Sequence, residues 1–374
     1  MTSEDQILEL ARAAGFDLAA LVPLGPPPDA ERLRRWIELG RHGGMGWLAR
    51  DLERLVDPRS WNDVGRTLLV LGLGHAREPV ELEGGGRVAR YAAGRDYHNV
   101  IGRMLTKLAR DLARHGFSET TRRVVDAGAL LERSHAAEAN LGFPSKAANL
   151  LHPDHGPWFF LAELVLDRGY DPTHAAPPPG SCGTCTACLD VCPTGALVAP
   201  GELDARLCLS YHTIESRDPV PHEQRDHLGA WAFGCDLCSE VCPWGSKAPD
   251  RSDAWGTHTA VATGSLLDWL RAPGEGFAER FQGSAVRRAG RDGLARNAAF
   301  ALAETPIEEA RDALLDALND AAPRVREAAA WTLVRAYGDG AALAAVRAAR
   351  DAERDPGVAS DLTRSLDEGP RPSP

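Results

Sequence analysis

The chain has 374 residues, with 42 Lys+Arg against 53 Asp+Glu, a formal net charge of −11, and 44% hydrophobic and 25% charged residues. This is ordinary folded composition at a length for two or three domains, and it excludes fully disordered, collagenous and disulfide-scaffold classes. The acidic balance argues against nonspecific coating of nucleic acid while leaving room for a local basic patch, and no apolar run is long enough to cross a bilayer. Met1–Leu10 carries Glu4 and Asp5 and opens no apolar signal region, so the expectation is a cytosolic protein whose thiols stay reduced.

In chain order, Ser3 and Gln6 read as a capping box before Ile7, Leu10, Ala11 and Ala14, which recur at helical spacing. Asp29 can cap a second helix bearing Leu33, Trp36 and Ile37, and Thr67–Leu73 reads as a buried strand. Asn99 can cap a helix with Met104, Leu105, Leu108 and Leu112, and Thr121–Val125 and Trp158–Leu166 are further strands. The alternation predicts one α/β domain over residues 1–176. Pro177-Pro-Pro-Gly180 breaks regular structure as a linker would, and a cysteine-rich domain follows over 177–255. From Ala285 the chain turns Ala/Leu/Arg-rich, and Pro323 opens a helix whose apolar face repeats, which resembles a short HEAT-type solenoid over 256–370. The tail after Asp367 is expected to be disordered.

All eight cysteines fall between Cys182 and Cys242. Cys182-x2-Cys185-x2-Cys188-x3-Cys192-Pro193 is the run that holds a [4Fe-4S] cluster and whose fourth cysteine reaches a second cluster in two-cluster ferredoxins. Cys235-x2-Cys238-x3-Cys242-Pro243 repeats its last three ligands, with Ala232 where the first would stand, and Cys208 is left to complete the set. Crossed pairing predicts Cys182, Cys185, Cys188 and Cys242 around one cluster and Cys192, Cys208, Cys235 and Cys238 around the other. Two structural zinc sites or a disulfide framework are the alternatives, but zinc knuckles lack the four-cysteine run ending in Pro, and disulfides are disfavoured in the cytosol. Paired clusters relay single electrons, so the preceding domain is expected to hold whatever receives them.

Asp126 directly follows a hydrophobic strand, beside Gly128, where sheets bind ligands and desolvation can raise a carboxyl for proton donation; a helix cap or an ion pair to Arg133 is the plainer reading. Arg90-Tyr-Ala-Ala-Gly-Arg-Asp-Tyr-His98 can line a pocket or merely cap the next helix through Asp96 or Asn99. Gly84-Gly-Gly86 lacks the Lys and Ser/Thr of a phosphate loop and the spacing of a dinucleotide fingerprint, so ATP and Rossmann-type NAD binding are unsupported. Arg287, Arg288, Arg291 and Arg296 face Asp292 alone within residues 281–297, which suits either a phosphate-contacting stripe or a solvated helix face.

Six segments in this order resemble the epoxyqueuosine reductase family: Arg90–His98, Val125-Asp-Ala-Gly-Ala-Leu-Leu-Glu-Arg133, the Cys182–Cys192 run, Cys208-Leu-Ser-Tyr-His-Thr-Ile-Glu215, Phe233-Gly-Cys-Asp-Leu-Cys-Ser-Glu-Val-Cys-Pro-Trp244, and Phe281–Arg288 followed by Leu294–Asn297. The resemblance covers nearly the whole chain. It implies an α/β N-terminal cobalamin-binding domain, a ferredoxin-like domain with two [4Fe-4S] clusters, and C-terminal α-helical HEAT-like repeats that help grip a tRNA anticodon arm. The implied reaction is reduction of epoxyqueuosine to queuosine at the wobble position, the last step of queuosine biosynthesis, by a monomer fed by a low-potential donor such as ferredoxin or flavodoxin. By motif position Asp126 would donate the proton, and Tyr97, His98, Asp126, Ser145, Lys146, Ser210, Tyr211 and Thr213 would meet a base-off cobalamin. Asp96-Tyr-His98 with Gly102 is one residue out of step with the Asp-x-His-x-x-Gly motif of His-on cobalamin proteins. Gly142-Phe-Pro-Ser-Lys-Ala-Ala-Asn149 departs from the family's Gly-Trp-x-Gly-Lys-Asn-like stretch at Pro144 and Ala147. A cobalamin reductase of another substrate, in the manner of reductive dehalogenases, and an electron-transfer adaptor without catalysis are the competing readings.

Overall fold

The computed structural model of the chain describes residues 2–117, 119–173 and 180–371. The Pro177–Pro179 linker and the last three residues of the expected disordered tail lie outside these described residues. Two compact units interleave along the sequence: Met1–Glu78, Asp96–Arg206 and Asp236–Trp255 form one, and Pro79–Arg95, Leu207–Cys235 and Gly256–Pro374 form the other. The division therefore differs from three consecutive domains at 1–176, 177–255 and 256–370.

In the first unit, β1 (Leu18–Pro23), β2 (Thr67–Gly74), β3 (Thr120–Val124) and β4 (Phe159–Leu166) form one sheet in the order β1-β2-β4-β3. Every pairing is antiparallel, from Leu18 opposite Gly72 to Leu73 opposite Phe160. The alternation of helices and strands that predicts an α/β domain does not by itself fix strand direction. Here β1 and β4 run one way and β2 and β3 the other.

Both sheet faces are covered. Leu69, Leu71, Leu164 and Leu166 pack with Ile7 and Ala11 of α1 (Ser3–Ala13) and, beyond α2 (Ala30–Glu38), with Ile101, Leu105 and Leu108 of α3 (Tyr97–Arg114). Leu68, Val70 and Val165 point the other way, to Leu130, Leu141 and Ala136 of α4 (Glu132–Glu138). Two-sided burial explains why β2 reads as an unbroken apolar run instead of a period-two alternation. The α1 box is formed by Thr2 and Asp5, one residue ahead of Ser3 and Gln6, and Asp96 rather than Asn99 caps α3. The sequence pattern gives no sign of β1, since its Leu-Ala-Ala-Leu-Val-Pro is rich in good helix formers.

In the second unit the short strands Val80–Glu81, Arg87–Val88 and Trp231–Phe233 pair together, and this draws residues 79–95 out of the first unit's segment. Around them lie α5 (Leu209–Ile214), α6 (Gly290–Ala301), α7 (Glu308–Ala317), α8 (Pro323–Thr332), α9 (Gly340–Ala352) and α10 (Pro356–Glu368). Pro323 and Pro356 open their helices, where the missing N–H costs no hydrogen bond. α6 packs on α8 and α8 on α10, with buried Ala295, Ala298 and Ala299 in α6 and Ala328–Ala330 in α8 allowing close approach. α10 runs to Glu368, and Arg371 beyond it pairs with Asp226 and Glu304.

Arg296 requires a correction. It is 1% exposed, so it is no phosphate contact. Its guanidinium donates to the carbonyls of His212 and Ser216 and to Asn297 Oδ1, while Asn297 Nδ2 donates to the carbonyls of Thr213 (2.7 Å) and Ala232 (2.9 Å). Burial, and after it the charges of Arg324 and Arg217, pull Arg296 down to about 9. Orphaned buried carbonyls cost about 1–3 kcal/mol each, so Arg296→Leu is expected to lower stability by about 3 kcal/mol, read as a lower urea midpoint; an unchanged midpoint would refute this structural role.

Candidate active site

β3 ends at Val124, and two residues later Asp126 takes φ +56°. A residue with a side chain rarely adopts this left-handed conformation, and such residues concentrate where surrounding contacts hold a functional group in place. Here the Asp126 N–H donates to Glu132 Oε1 at 2.9 Å, and the Tyr97 hydroxyl donates to Asp126 Oδ2 at 2.5 Å. His98 Nε2 lies 3.6 Å from the same oxygen. A Cβ on Gly128 would sit 2.3 Å from Val124 Cγ1, so the turn requires glycine there. The Asp126 side chain remains 65% exposed.

Tyr97 and His98 open α3, whose cap is Asp96. Asp96 Oδ1 accepts the His98 N–H at 3.0 Å and lies 2.9 Å from His98 Nδ1. The Tyr97 ring is stacked between His98, at 4.1 Å, and Phe160 of β4, at 4.4 Å. Flanking carboxylates, Asp126 first and Asp96 second, raise His98 to about 9 against the opposing effect of burial. Half-burial pushes Asp96 up, yet the hydrogen bonds from His98 hold its carboxyl below the ordinary range. An imidazolium, a phenol and an exposed carboxyl thus meet at one oxygen, an arrangement suited to delivering a proton.

The same unit carries a cysteine basin. Cys182, Cys185, Cys188, Cys238 and Cys242 line a cavity of about 40 Å³ together with Ala147 and Trp244. Matching short helices, Ala187–Asp190 and Leu237–Glu240, pack against each other and carry Cys188 and Cys238, and the prolines after Cys192 and Cys242 turn the chain away. The Lys146 N–H points at Cys182 Sγ at 3.5 Å, and Ala196 N–H at Cys192 Sγ at 3.3 Å. Burial first, and then neighbouring Cys182, push the Cys188 thiol up. Deprotonating several thiols in so small a space is favourable only around a cationic centre, and an all-sulfur donor set with backbone N–H donors suits iron–sulfur.

Against the basin lies a hairpin in which Phe143–Pro144 pairs with Leu150–Leu151. Ser145 organises its turn: the hydroxyl donates to Asn149 Oδ1 and accepts from the N–H groups of Ala147 and Asn149. Pro144 sits in a two-stranded ladder, where an edge position tolerates its missing donor. Lys146 Nζ donates to the carbonyls of Gly183 (2.8 Å) and Cys185 (2.9 Å), tying this turn to the cysteine loop. The same turn borders a cavity of about 300 Å³ lined by Leu33, Trp36, Leu131 and Leu150, with Arg32 and Arg133 at its polar edge.

Three family models match the chain: "Epoxyqueuosine reductase QueG, DUF1730" over residues 56–127, "4Fe-4S double cluster binding domain" over 181–245 and "HEAT repeats" over 284–367. An epoxyqueuosine reductase of Xanthomonas campestris is 35% identical over 88% of this chain and 95% of its own length, and that of Escherichia coli is 32% identical over 86% of each. The chain belongs to the epoxyqueuosine reductases. It is accordingly an oxidoreductase with an iron–sulfur domain and HEAT repeats. An epoxyqueuosine reductase crystallised with an epoxyqueuosine-modified tRNA-Tyr stem loop superposes with a TM-score of 0.85 at 27% identity, covering 97% of both chains. The Bacillus subtilis enzyme, solved with its catalytic aspartate loop swung out of the active site, gives 0.83 at 27% identity over 97% of this chain and 98% of its own.

Of the residues expected at the cofactor, Tyr97, His98 and Asp126 come together with polar atoms at the surface. Ser145, Lys146 and Thr213 do not present free side chains. Ser145 and Lys146 are engaged as described, and Thr213, 1% exposed, donates to the Leu209 carbonyl and accepts the Gly234 N–H. Tyr211 is likewise buried, while Ser210 is partly exposed on α5. In the arginine stripe, Arg291 forms a two-pronged pair with Asp320 and Arg288 one with Glu215, whereas Arg287 is exposed. Phe160 and Glu132 escaped the sequence reading: stacking beneath Tyr97 and acceptance of one amide leave no local pattern.

His98 lies above its unfolded value of 6.5, so its contribution to stability is full below about pH 6.5 and is lost as pH rises through about 9. Histidine NMR should place the His98 titration near 9, and Asp126→Asn should move it clearly downward. An unmoved midpoint in that variant would show that Asp126 does not hold the imidazolium.

Proposed function

We propose that the chain reduces epoxyqueuosine to queuosine at the wobble position of tRNA, with two [4Fe-4S] clusters and cobalamin as its redox groups. The observation that carries this is Asp126: an exposed carboxyl held in a left-handed turn against Tyr97 and His98, in the unit that also bears the cysteine basin. Cys182, Cys185, Cys188 and Cys242 would hold one cluster and Cys192, Cys208, Cys235 and Cys238 the other, by the spacing of two-cluster ferredoxins.

Cobalamin chemistry fits the residues present. The cavity beside the 145–149 turn pairs an apolar wall, Leu33, Trp36, Leu131 and Leu150, with Arg32 and Arg133, which suits the aromatic base and the phosphate of a detached nucleotide tail. Tyr97, His98, Asp126 and the 145–149 backbone would hold the rest. When bound, cobalamin supplies the cobalt centre that delivers two electrons. The chain's own task is the protons. Opening the epoxide and expelling its oxygen breaks two C–O bonds, forms one C=C bond and releases water, and so consumes two electrons and two protons. Asp126 delivers a proton to the departing oxygen, Tyr97 orients the carboxyl through its 2.5 Å hydrogen bond, and His98, protonated below about pH 9, returns a proton to Asp126.

The tRNA substrate is supported by the structural match to the reductase solved with a modified stem loop and by the exposed Arg287 ahead of α6. A low-potential donor such as ferredoxin or flavodoxin would supply the electrons to a monomeric enzyme.

Asp126→Asn is expected to lower turnover of epoxyqueuosine-containing tRNA about 10²–10⁴-fold with iron and cobalt contents unchanged; undiminished turnover would remove Asp126 as the donor. Anaerobic preparation from cobalamin-fed cells should give about eight irons and one cobalt per chain, and iron without cobalt would overturn the cobalamin assignment. Arg287→Ala should weaken tRNA binding and reduce the salt slope by about one, whereas a slope equal to wild type would place Arg287 off the phosphate path.

A further inference from the structure

The left-handed turn at Asp126 needs an anchor, and the position of that anchor is specific. Residues 125–128 carry local backbone contacts, Ala127 N–H to the Val125 carbonyl and Gly128 N–H to the Asp126 carbonyl. The Asp126 amide itself donates to Glu132 Oε1 at 2.9 Å. Glu132 begins α4, and α4 is fixed to the sheet by a buried pair: His135 Nδ1 lies 3.0 Å from Oε1 of Glu163 on β4, and both side chains are excluded from solvent. A rigid line thus runs from the middle of the sheet through His135 and the first turn of α4 to the backbone of Asp126. The line ends at the residue whose carboxyl meets Tyr97 and His98.

We propose that Glu132 is a positioning residue: by accepting the Asp126 N–H it keeps residues 125–128 in the turn that presents the Asp126 carboxyl to Tyr97 and His98. The catalytic part of this inference rests on Asp126 being the proton donor. The role requires an acceptor oxygen and no negative charge. Burial first, and then the charge of Glu163, push the Glu132 carboxyl well above the usual carboxylate range, and the contact itself uses only a lone pair on Oε1. Glutamine places an equivalent carbonyl oxygen there, whereas methionine of similar size does not.

The test compares Glu132→Gln and Glu132→Met in the cofactor-loaded enzyme, with histidine NMR of His98 as a second readout that needs no turnover. Glu132→Gln should keep kcat within threefold of wild type and leave the His98 titration near 9. Glu132→Met should lower kcat at least tenfold with KM for tRNA within twofold and iron content unchanged, and should shift the His98 midpoint downward as the Asp126 carboxyl leaves it. Glu132→Ala, which removes the acceptor without inserting an apolar chain, should change both readouts in the same direction and decides the matter if the methionine variant does not fold. Wild-type kcat and His98 titration in folded Glu132→Met or Glu132→Ala would overturn the proposal. Equal losses in Glu132→Gln and Glu132→Met would also overturn it, because the carboxyl charge and not the acceptor would then matter. An inactive wild-type enzyme whose His98 still responds to Glu132→Met would sink the functional reading while sustaining the positional one.

Discussion

Glu163 is the charged residue of β4, placed at the centre of a sheet covered on both faces and wholly withdrawn from water. A carboxylate there is tolerable only with a partner, and His135 of α4 provides it at 3.0 Å, its own basicity raised by that charge against the cost of burial. Breaking such a pair leaves an uncompensated charge, which typically costs about 3–5 kcal/mol. The pair therefore fixes α4 on the sheet in one register. From that register follow the start of α4 at Glu132, the amide contact to Asp126 and the direction of the Asp126 carboxyl.

The cysteine basin obeys a related logic with the sign of the problem reversed. Two short helices with matching caps carry Cys188 and Cys238 into one cavity, and the turn at Ser145–Asn149 closes on it through Lys146. Burial favours the neutral thiols here, so their deprotonation becomes favourable only with a positive centre among them, and metal binding is then linked to proton release. Pro144 and Ala147 sit in the hairpin edge and the turn. There the backbone and the Ser145 hydroxyl make the contacts that shape the turn.

The sequence made the iron–sulfur segment, the turn after β3 and the helical C-terminal segment legible because each is a local pattern: fixed cysteine spacings, a strand followed by Asp and Gly, and proline-opened apolar repeats. What stayed hidden is non-local. Strand direction depends on where connections return, and β1 is written in residues that favour helix. The left-handed backbone at Asp126 has no marker in its own side chain, since glycine two residues later reveals the turn but not which residue is strained. Likewise, Glu132 reads as an ordinary first-turn helix residue, and its contact with Asp126 appears only when the turn has folded back upon α4.

Arg296 shows how charge counting goes astray. An arginine stripe in an acidic chain suggests a phosphate track, yet of its four members Arg296 is buried as a clamp on backbone carbonyls, Arg291 is bound to Asp320 and Arg288 faces Glu215. Their charge is largely spent inside the second unit, so the long-range attraction that a stripe of four would exert on a polyanion is much reduced. With a net charge of −11 over the whole chain, nonspecific affinity for nucleic acid is weak from the outset. Under the proposed action on tRNA, recognition would depend on shape and on a few exposed contacts such as Arg287, which favours a single structured target over bulk nucleic acid.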